Sequence, residues 1–377
     1  MTDAPIRMML VGGFLGAGKT TLMAAAGRRL AQRGLNIGFI TNDQAAGLVD
    51  TEMLKLTGFD VKEVAGACFC CKFDELILKT DELYSKRKPD VLITEPVGSC
   101  TDLSATVLQP IKKFFGDKLR VTPFSVLVDP ERLKELLSGK ETVFAATVLY
   151  IYSKQLEEAD IIVLNKIDTL SKDEVQSLKN EVARKFPTAQ VVAVSALNGE
   201  GLDEWLELAM QDRPAGQNIL TIDYDKYAEG EAVLGWLNAA VKLQSETPID
   251  FRTFAFDLLR AFKGEFQIRK AEIAHLKLFI SATGTGLVGN LTSTKGMPFV
   301  FVNGTAGSST SGLLILNARV HIGPDELKSA VETTVGKLNQ KGIQTEFVSL
   351  ECFSPGRPNP THKNTTTSCC TPGSGCC

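Results

Sequence analysis

Gly13-Phe14-Leu15-Gly16-Ala17-Gly18-Lys19-Thr20 follows the apolar run MMLV (8–11) and opens onto a helix-period segment at 19–33. This is G-x-x-x-x-G-K-[ST] set between a strand and a helix, the arrangement of a phosphate-binding loop. Its glycines let backbone N–H groups curl round a phosphate where a side chain would block the approach. The helix N-terminus adds partial positive charge. Lys19 is expected to reach the β- and γ-phosphates of a nucleotide, and the Thr20 hydroxyl to ligate Mg²⁺. Gly13, Gly16, Ala17, Gly18, Lys19, Thr20 and Thr21 are the candidate phosphate-binding residues.

Outward from this loop, short β-branched runs alternate with helical patterns. IRMMLVGG (6–13), LNIGFIT (35–41), DVLITEP (90–96), TPFSVLVD (122–129), ADIIVLNK (159–166) and AQVVAVSA (189–196) read as buried strands, and 172–185 as a helix. The alternation predicts an α/β domain over 1–215, with a mainly parallel sheet covered on both faces. DRPAG (212–216) reads as its exit linker. The region 216–351 has another order: strand 233–243, helix 248–262, strands 274–281, 297–303 and 311–322, helix 324–340, strand 343–350. That order predicts a smaller, ferredoxin-like α+β domain. The stretches 283–296 and 306–312 read as loops. From 352 the composition turns to Pro, Gly, Ser, Thr and Cys, and a flexible tail over 352–377 is expected.

Asn165-Lys166-Ile167-Asp168 lies directly after the strand ADIIVL. A carboxylate at that strand end can accept both the N1–H and the N2–H₂ of guanine, a donor pair that adenine lacks. With Ser195-Ala196 after the following strand, the arrangement selects GTP over ATP. A third strand end carries Thr94-Glu95-Pro96-Val97-Gly98. Phosphate-binding-loop proteins hold the Mg²⁺ water shell or orient the attacking water with an acid at this place, here Glu95. The Gly98 amide can meet the γ-phosphate; in the plainer alternative, Glu95 only caps the next helix. Asp43, Asp50 and Glu52 lie in a segment placed to act as a first switch, and each is a candidate contact to Mg²⁺ or to a bound metal.

The chain has 377 residues, with 41 Lys and Arg against 44 Asp and Glu, a net charge of −3. Neither nucleic acid nor an anionic membrane is an expected partner. The longest apolar stretch, 144–152, is far shorter than the ~20 residues of a membrane span. The opening MTDAPIRMMLVGG has no basic leader segment, so a cytoplasmic location is expected. In that reducing compartment the nine cysteines point to metal or redox chemistry rather than disulfides. Cys68, Cys70 and Cys71 form C-x-C-C, and Cys369, Cys370, Cys376 and Cys377 fall in the last nine residues. Three thiols within four residues converge only in a tight turn, and thiolates suit Zn²⁺, Cu(I) and, less tightly, Co²⁺ or Ni²⁺. Three ligands leave one position for water, a nearby acid or a partner's ligand. The vicinal pairs of CCTPGSGCC can wrap one soft ion; lipidation is not expected without a C-a-a-X box or a polybasic stretch.

Taken together, GFLGAGKTT, C-x-C-C, the E-x-x-G strand end and NKID resemble the GTPase family of CobW, HypB and UreG, and more narrowly its CobW-like metallochaperones. The resemblance covers Ile6 to about Leu208. It implies a P-loop GTPase domain in which Lys19, Thr20, Glu95, Asn165 and Asp168 serve GTP and Mg²⁺. It further implies a transition metal, Zn²⁺ or Co²⁺, at Cys68, Cys70 and Cys71. A client metalloprotein or corrinoid-linked enzyme is the implied partner, and a nucleotide- or metal-dependent homodimer fits the family. The sequence departs from the family pattern at Ala67, which separates Gly66 from the first thiol, and at EPVGSCTDL (95–103). Cys100 there reads as a fourth ligand or a core thiol, the core thiol being preferred. Two rival functions remain: a metal or redox sensor with a structural thiolate site, and a P-loop small-molecule kinase, against which NKID argues.

Overall fold

The computed structural model describes residues 4–138, 146–282, 285–303 and 307–367. The first sheet comprises β1 (Ile6–Gly13), β2 (Ile37–Asp43), β3 (Asp60–Ala65), β4 (Val91–Glu95), β5 (Leu119–Val121), β6 (Ser125–Val128), β7 (Ile161–Leu164) and β8 (Gln190–Ala193). Its order is β3-β2-β4-β1-β6-β7-β8, with β5 also on β1, and every pairing is parallel. The two faces of β1 feed different cores: Met8 and Leu10 enter one, Met9 and Val11 the other. Burial on both sides is why these strands read as near-continuous apolar runs. The predicted sequence lacks β3 and β5. Only Val64 of β3 is fully buried, so this edge strand carries no apolar run, and β5 is three residues long.

Helices start and stop where local chemistry dictates. The helix Lys172–Lys185 keeps its predicted bounds because Ser171 and Glu174 form a reciprocal capping box. The helix Lys19–Gln32 buries Leu22, Met23, Ala26 and Leu30 on the sheet. The apolar stretch at 144–152 continues as the helix Ala146–Glu157. Among the described residues no helix is long and apolar enough to cross a membrane.

A second, antiparallel sheet comprises β9 (Gly235–Asp250), β10 (Ile273–Ala282), β11 (Thr285–Leu291), β12 (Phe299–Asn303), β13 (Ser308–Val320) and β14 (Ile343–Phe353). Its order is β12-β11-β10-β13-β9-β14. The strands β9, β10, β13 and β14 with the helices Phe251–Ile268 and Pro324–Gly336 give the β-α-β-β-α-β order and strand arrangement of a ferredoxin-like layer. The sequence reading needs three corrections. Part of the stretch read as loop at 283–296 is β11, which pairs with β12 to widen the sheet. Most of 306–312 belongs to β13. The helix expected from 248 begins at Phe251, because Asp250 caps it by accepting from the Arg252 and Thr253 N–H groups while Pro248 stays in β9.

Alternation along the second sheet positions the site. Leu276 and Leu278, Leu316 and Ala318, and Leu237 and Ala239 face the two helices. The residues between them, His275, Lys277, Asn317, Arg319 and Asn238, are buried or nearly so, yet polar. They face the C-terminal ends of the parallel strands, the place where α/β sheets bind ligands.

The segment after β14 departs from the expected flexible tail. Over 354–367 it lies along the first sheet's helices: Thr361 N–H donates to Cys70 O at 2.8 Å and Asn364 N–H to Ala105 O at 3.0 Å. His362 stacks edge-on against Phe73 at 4.9 Å, and Lys363 pairs with the buried Asp102 at 3.2 Å. Composition alone misses this, because the segment adds its contacts to a core already built. Cys369, Cys370, Cys376 and Cys377 lie outside the described residues.

Candidate functional site

The phosphate loop turns on three left-handed glycines, Gly13, Gly16 and Gly18. A Cβ on Gly13 would meet Leu127 O at 2.4 Å, and one on Gly18 would meet Asn165 Nδ2 at 2.4 Å. Only glycine lets β1 run this close to β6 and lets the loop meet the NKID strand end. Gly16, Gly18, Lys19, Thr20, Thr21, Glu95, Gly98, Asn165, Lys166, Asp168 and Ala196 line one cavity of about 370 Å³. Gly13, Ala17 and Ser195 do not line it, but Ala17 and Ser195 hydrogen-bond residues that do. Asn165 Nδ2 donates to Ala17 O at 2.8 Å and Asn165 Oδ1 accepts from Ala196 N–H at 3.0 Å, so one amide ties three loops together. The Ser195 hydroxyl donates to Asp168 Oδ1 at 2.6 Å, fixing the carboxylate at the cavity edge. Lys166 takes a left-handed conformation and pairs with Asp129 at 2.5 Å.

At the other end of the cavity the buried Glu95 and Lys19 meet the partly buried Asp50 and Lys277. The Thr20 hydroxyl lies 2.5 Å from Asp50 Oδ1 and 3.0 Å from Glu95 Oε2, and Lys19 Nζ is 3.6 Å from Glu95. Burial, reinforced by the Asp50 charge, raises Glu95 to about 7. Burial likewise lowers Lys19, against the opposing pull of Glu95. Asp50 stays below its usual range despite burial, because Lys277 pairs with it from β10. A hydroxyl and two carboxylates are hard oxygen donors, the set Mg²⁺ requires. Of the other acids expected in this segment, Asp43 is paired with Arg319 at 2.5 Å in a nearly buried ion pair. Glu52 pairs with Lys55 at the surface.

Sequence reasoning missed the second sheet's contribution. His275, Lys277, Asn317 and Arg319 line the same cavity. Arg319 also donates to Leu237 O and Asn238 Oδ1 and stacks over Trp236 at 4.2 Å. Asn317 Oδ1 accepts from Val49 N–H at 2.8 Å and Asn317 Nδ2 donates to Gly47 O at 3.2 Å. The segment 43–50 is therefore held from across the cavity. The one available signal was period-2 placement of polar residues on strands otherwise apolar.

Cys68, Cys70 and Cys71 converge as their spacing predicts. Sγ separations are 2.8 Å for Cys68–Cys70, 3.4 Å for Cys68–Cys71 and 3.7 Å for Cys70–Cys71. Gly66 precedes the turn in a left-handed conformation, and the Cys71 and Lys72 N–H groups close it on Cys68 O. Cys68 and Cys70 are buried and Cys71 is partly open. Hydrogen bonds from Cys100, Cys70 and Cys71 hold Cys68 well below the usual thiol range. The same bond to Cys68 pushes Cys71 up to about 11. Three soft donors this close suit Zn²⁺. Asn359 N–H, from the segment after β14, reaches Cys71 Sγ at 3.3 Å.

The family model "CobW/HypB/UreG, nucleotide-binding domain" matches residues 7–193. The chain is 28% identical over 256 residues to "Zinc chaperone CobW" of Pseudomonas aeruginosa, covering 56% of this chain and 64% of that protein. It is 30% identical over 178 residues to "Zinc chaperone YeiR" of Escherichia coli, covering 46% of this chain and 50% of that protein. The chain therefore spans less than two thirds of the length of either relative. The solved Zn(II)-bound YjiA GTPase of E. coli aligns over 88% of this chain and 99% of its own, at 16% identity and a TM-score of 0.38. Residues 7–193 of this chain are therefore similar to the nucleotide-binding domain of the CobW/HypB/UreG family.

Proposed function

We propose that the protein is a GTP-hydrolysing metallochaperone that binds Zn²⁺ at Cys68, Cys70 and Cys71 and passes it to a client metalloprotein. The observation that carries this reading is the turn of three thiols at 2.8–3.7 Å, hung from the strand that borders the nucleotide cavity. Asp168 recognises guanine, and the loop 13–20 takes the phosphates. Thr20, with Asp50 and Glu95, would hold Mg²⁺, which when bound would screen the phosphate charge. Lys19 neutralises the phosphate oxygens, and Glu95, where it does not serve the Mg²⁺ water shell, orients the attacking water. The cargo assignment rests on the thiolate donor set and on relatives named zinc chaperones. Co²⁺ delivered to a corrinoid-linked enzyme is the alternative cargo, and a cytoplasmic setting, where thiols stay reduced, suits either.

Binding of GTP and ATP in competition, followed by turnover of the parent and Lys19→Ala, tests the enzyme. The reading expects preference for GTP and loss of hydrolysis in the variant. ATP preference, or parent-rate turnover by Lys19→Ala, contradicts it.

A further inference from the structure

We propose that Lys277, carried by the second sheet, is a ligand of the γ-phosphate, so that the second sheet reads whether the cavity holds a nucleoside triphosphate or diphosphate; this rests on the GTPase reading above. Lys277 belongs to β10, an interior strand between β11 and β13. Its neighbours Leu276 and Leu278 pack under the helices, and alternation turns Lys277 towards the cavity. Across the sheet it is in register with Asn290 of β11 and Asn317 of β13, which border the same cavity. Three paired strands thus present one polar row to the nucleotide side. The Lys277 side chain is 15% exposed, and an ion pair this far from water rarely repays its desolvation as stability. An apolar side chain would join the two sheets at less cost, so the ammonium needs another reason.

Its partner supplies the reason. Lys19, Lys166, Lys277 and Arg319 are the Lys and Arg side chains that border the cavity among the described residues. Lys166 is tied to Asp129, and Arg319 to Asp43 and the Leu237 and Ala318 carbonyls. Lys277 pairs with Asp50, near the start of the helix Val49–Lys55 and in the segment placed to act as a first switch. Asp50 Oδ1 accepts from Lys277 Nζ and also from the Thr20 hydroxyl, the latter at 2.5 Å. The ammonium therefore lies no more than two hydrogen bonds from Thr20, whose counterpart in phosphate-binding-loop proteins serves the junction of the β- and γ-phosphates. On the same face, His275 is 7% exposed, and its Nε2 has no partner among the described residues. The second sheet thus brings the cavity an unused polar atom as well as a cation.

Charge balance selects the terminal phosphate. Beside Thr20 stand two acids, Asp50 and Glu95, and two cations, Lys19 and Lys277. A γ-phosphate adds negative charge at this point, and without Lys277 it would join two carboxylates facing one lysine. A turn of the Lys277 side chain exchanges the Asp50 carboxylate for a γ-oxygen, one charge-assisted hydrogen bond for another. The exchange releases Asp50 and leaves β10 in place. A diphosphate offers no such oxygen, so the pair with Asp50 persists.

The test measures affinity for a non-hydrolysable GTP analogue and for GDP, both with Mg²⁺, on the full chain. The parent is compared with Lys277→Met, which keeps the apolar stem, and Lys277→Gln, each checked for folding by circular dichroism. Phosphorus NMR of the bound analogue reads the γ-phosphate separately from the α-phosphate. The proposal expects analogue affinity to fall about 10- to 100-fold in both variants. GDP affinity stays near the parent's, and the γ resonance moves while the α resonance does not. Equal losses for both nucleotides, or none, overturn the proposal and leave an ion pair that only joins the sheets. An analogue-selective loss with the γ resonance in place also overturns it, because Lys277 would then act by neutralising Asp50 alone. Lys19→Ala separates this from the reading beneath it. A parent that binds neither nucleotide, or Lys19→Ala with the parent's affinity for the analogue, overturns both.

Discussion

The Phe69 amide, at the centre of the C-x-C-C turn, donates to Asn42 Oδ1 at 2.8 Å. Asn42 Nδ2 also donates to Val64 O at 2.9 Å and Ala67 O at 2.8 Å, so this buried side chain holds both ends of the turn. The next residue, Asp43, lines the nucleotide cavity and is paired with Arg319 of the second sheet. The thiols and the nucleotide cavity thus hang from adjacent residues of β2. Contiguity of this kind gives a shift of β2 a direct route from one site to the other.

Asn42→Ala removes three buried hydrogen bonds and leaves a buried N–H and carbonyls without partners. A destabilisation of about 2–4 kcal/mol is expected, together with weakened Zn²⁺ binding and GTP affinity closer to the parent's. Thermal melts and parallel titrations of the two ligands check it. Metal affinity equal to the parent's would show that the turn does not depend on this amide.

Asp168→Asn replaces the acceptor for the guanine N–H pair while Ser195 can still hold the side chain. Loss of a hydrogen bond to a charged group is worth about 1.5–3 kcal/mol, so GTP affinity should fall at least about 10-fold. Affinity for xanthosine triphosphate, whose C2 carbonyl accepts from the new amide, should rise relative to GTP. Competition between the two nucleotides reads the change directly, and an unaltered preference would remove the guanine assignment.

Stability of the nucleotide-free protein should depend on pH in a defined direction. Burial raises Glu158 to about 8, and burial with the Asp50 charge raises Glu95 to about 7, from an ordinary 4.5. Between those values the folded chain keeps protons that the unfolded chain has released. The stabilisation is full below about pH 4.5 and is lost as pH rises towards 7–8, at up to about 1.4 kcal/mol per pH unit for each group. Melting temperature should fall across that window, and Glu158→Gln should flatten the fall. A rise with pH would contradict the buried-acid account.

Truncation after Phe353 removes the segment laid over Cys70 and Cys71. Cys71 should then alkylate faster in the metal-free protein, because Asn359 and Thr361 no longer cover it. Mass spectrometry of briefly alkylated protein measures this. Equal rates would mean that the segment does not shield the thiols.

How much of this was legible in the sequence depends on the range of the contacts. The phosphate loop, NKID and C-x-C-C are local motifs whose geometry is set by residues within a few positions, and each lies where its spacing places it. The buried parallel strands carry their own apolar signature. Lys277 and Arg319 carry only their alternation with apolar neighbours, which does not point to Asp50 and Asp43, more than 200 residues away. The segment after β14 escaped for the same reason: a Pro-rich stretch acquires meaning only from what the fold sets beside it.

The central claim is that nucleotide and metal are coupled, and a pair of titrations tests it most directly. Zn²⁺ is titrated at saturating non-hydrolysable GTP analogue and at saturating GDP; nucleotide is then titrated with and without Zn²⁺. The account predicts that metal affinity differs between the two nucleotide states by roughly 5–150-fold, with the nucleotides' relative affinities shifted by the same factor when metal is bound. Cys68→Ser/Cys70→Ser/Cys71→Ser should abolish the difference. Equal metal affinities in the two nucleotide states would contradict the account and leave a GTPase with a structural metal.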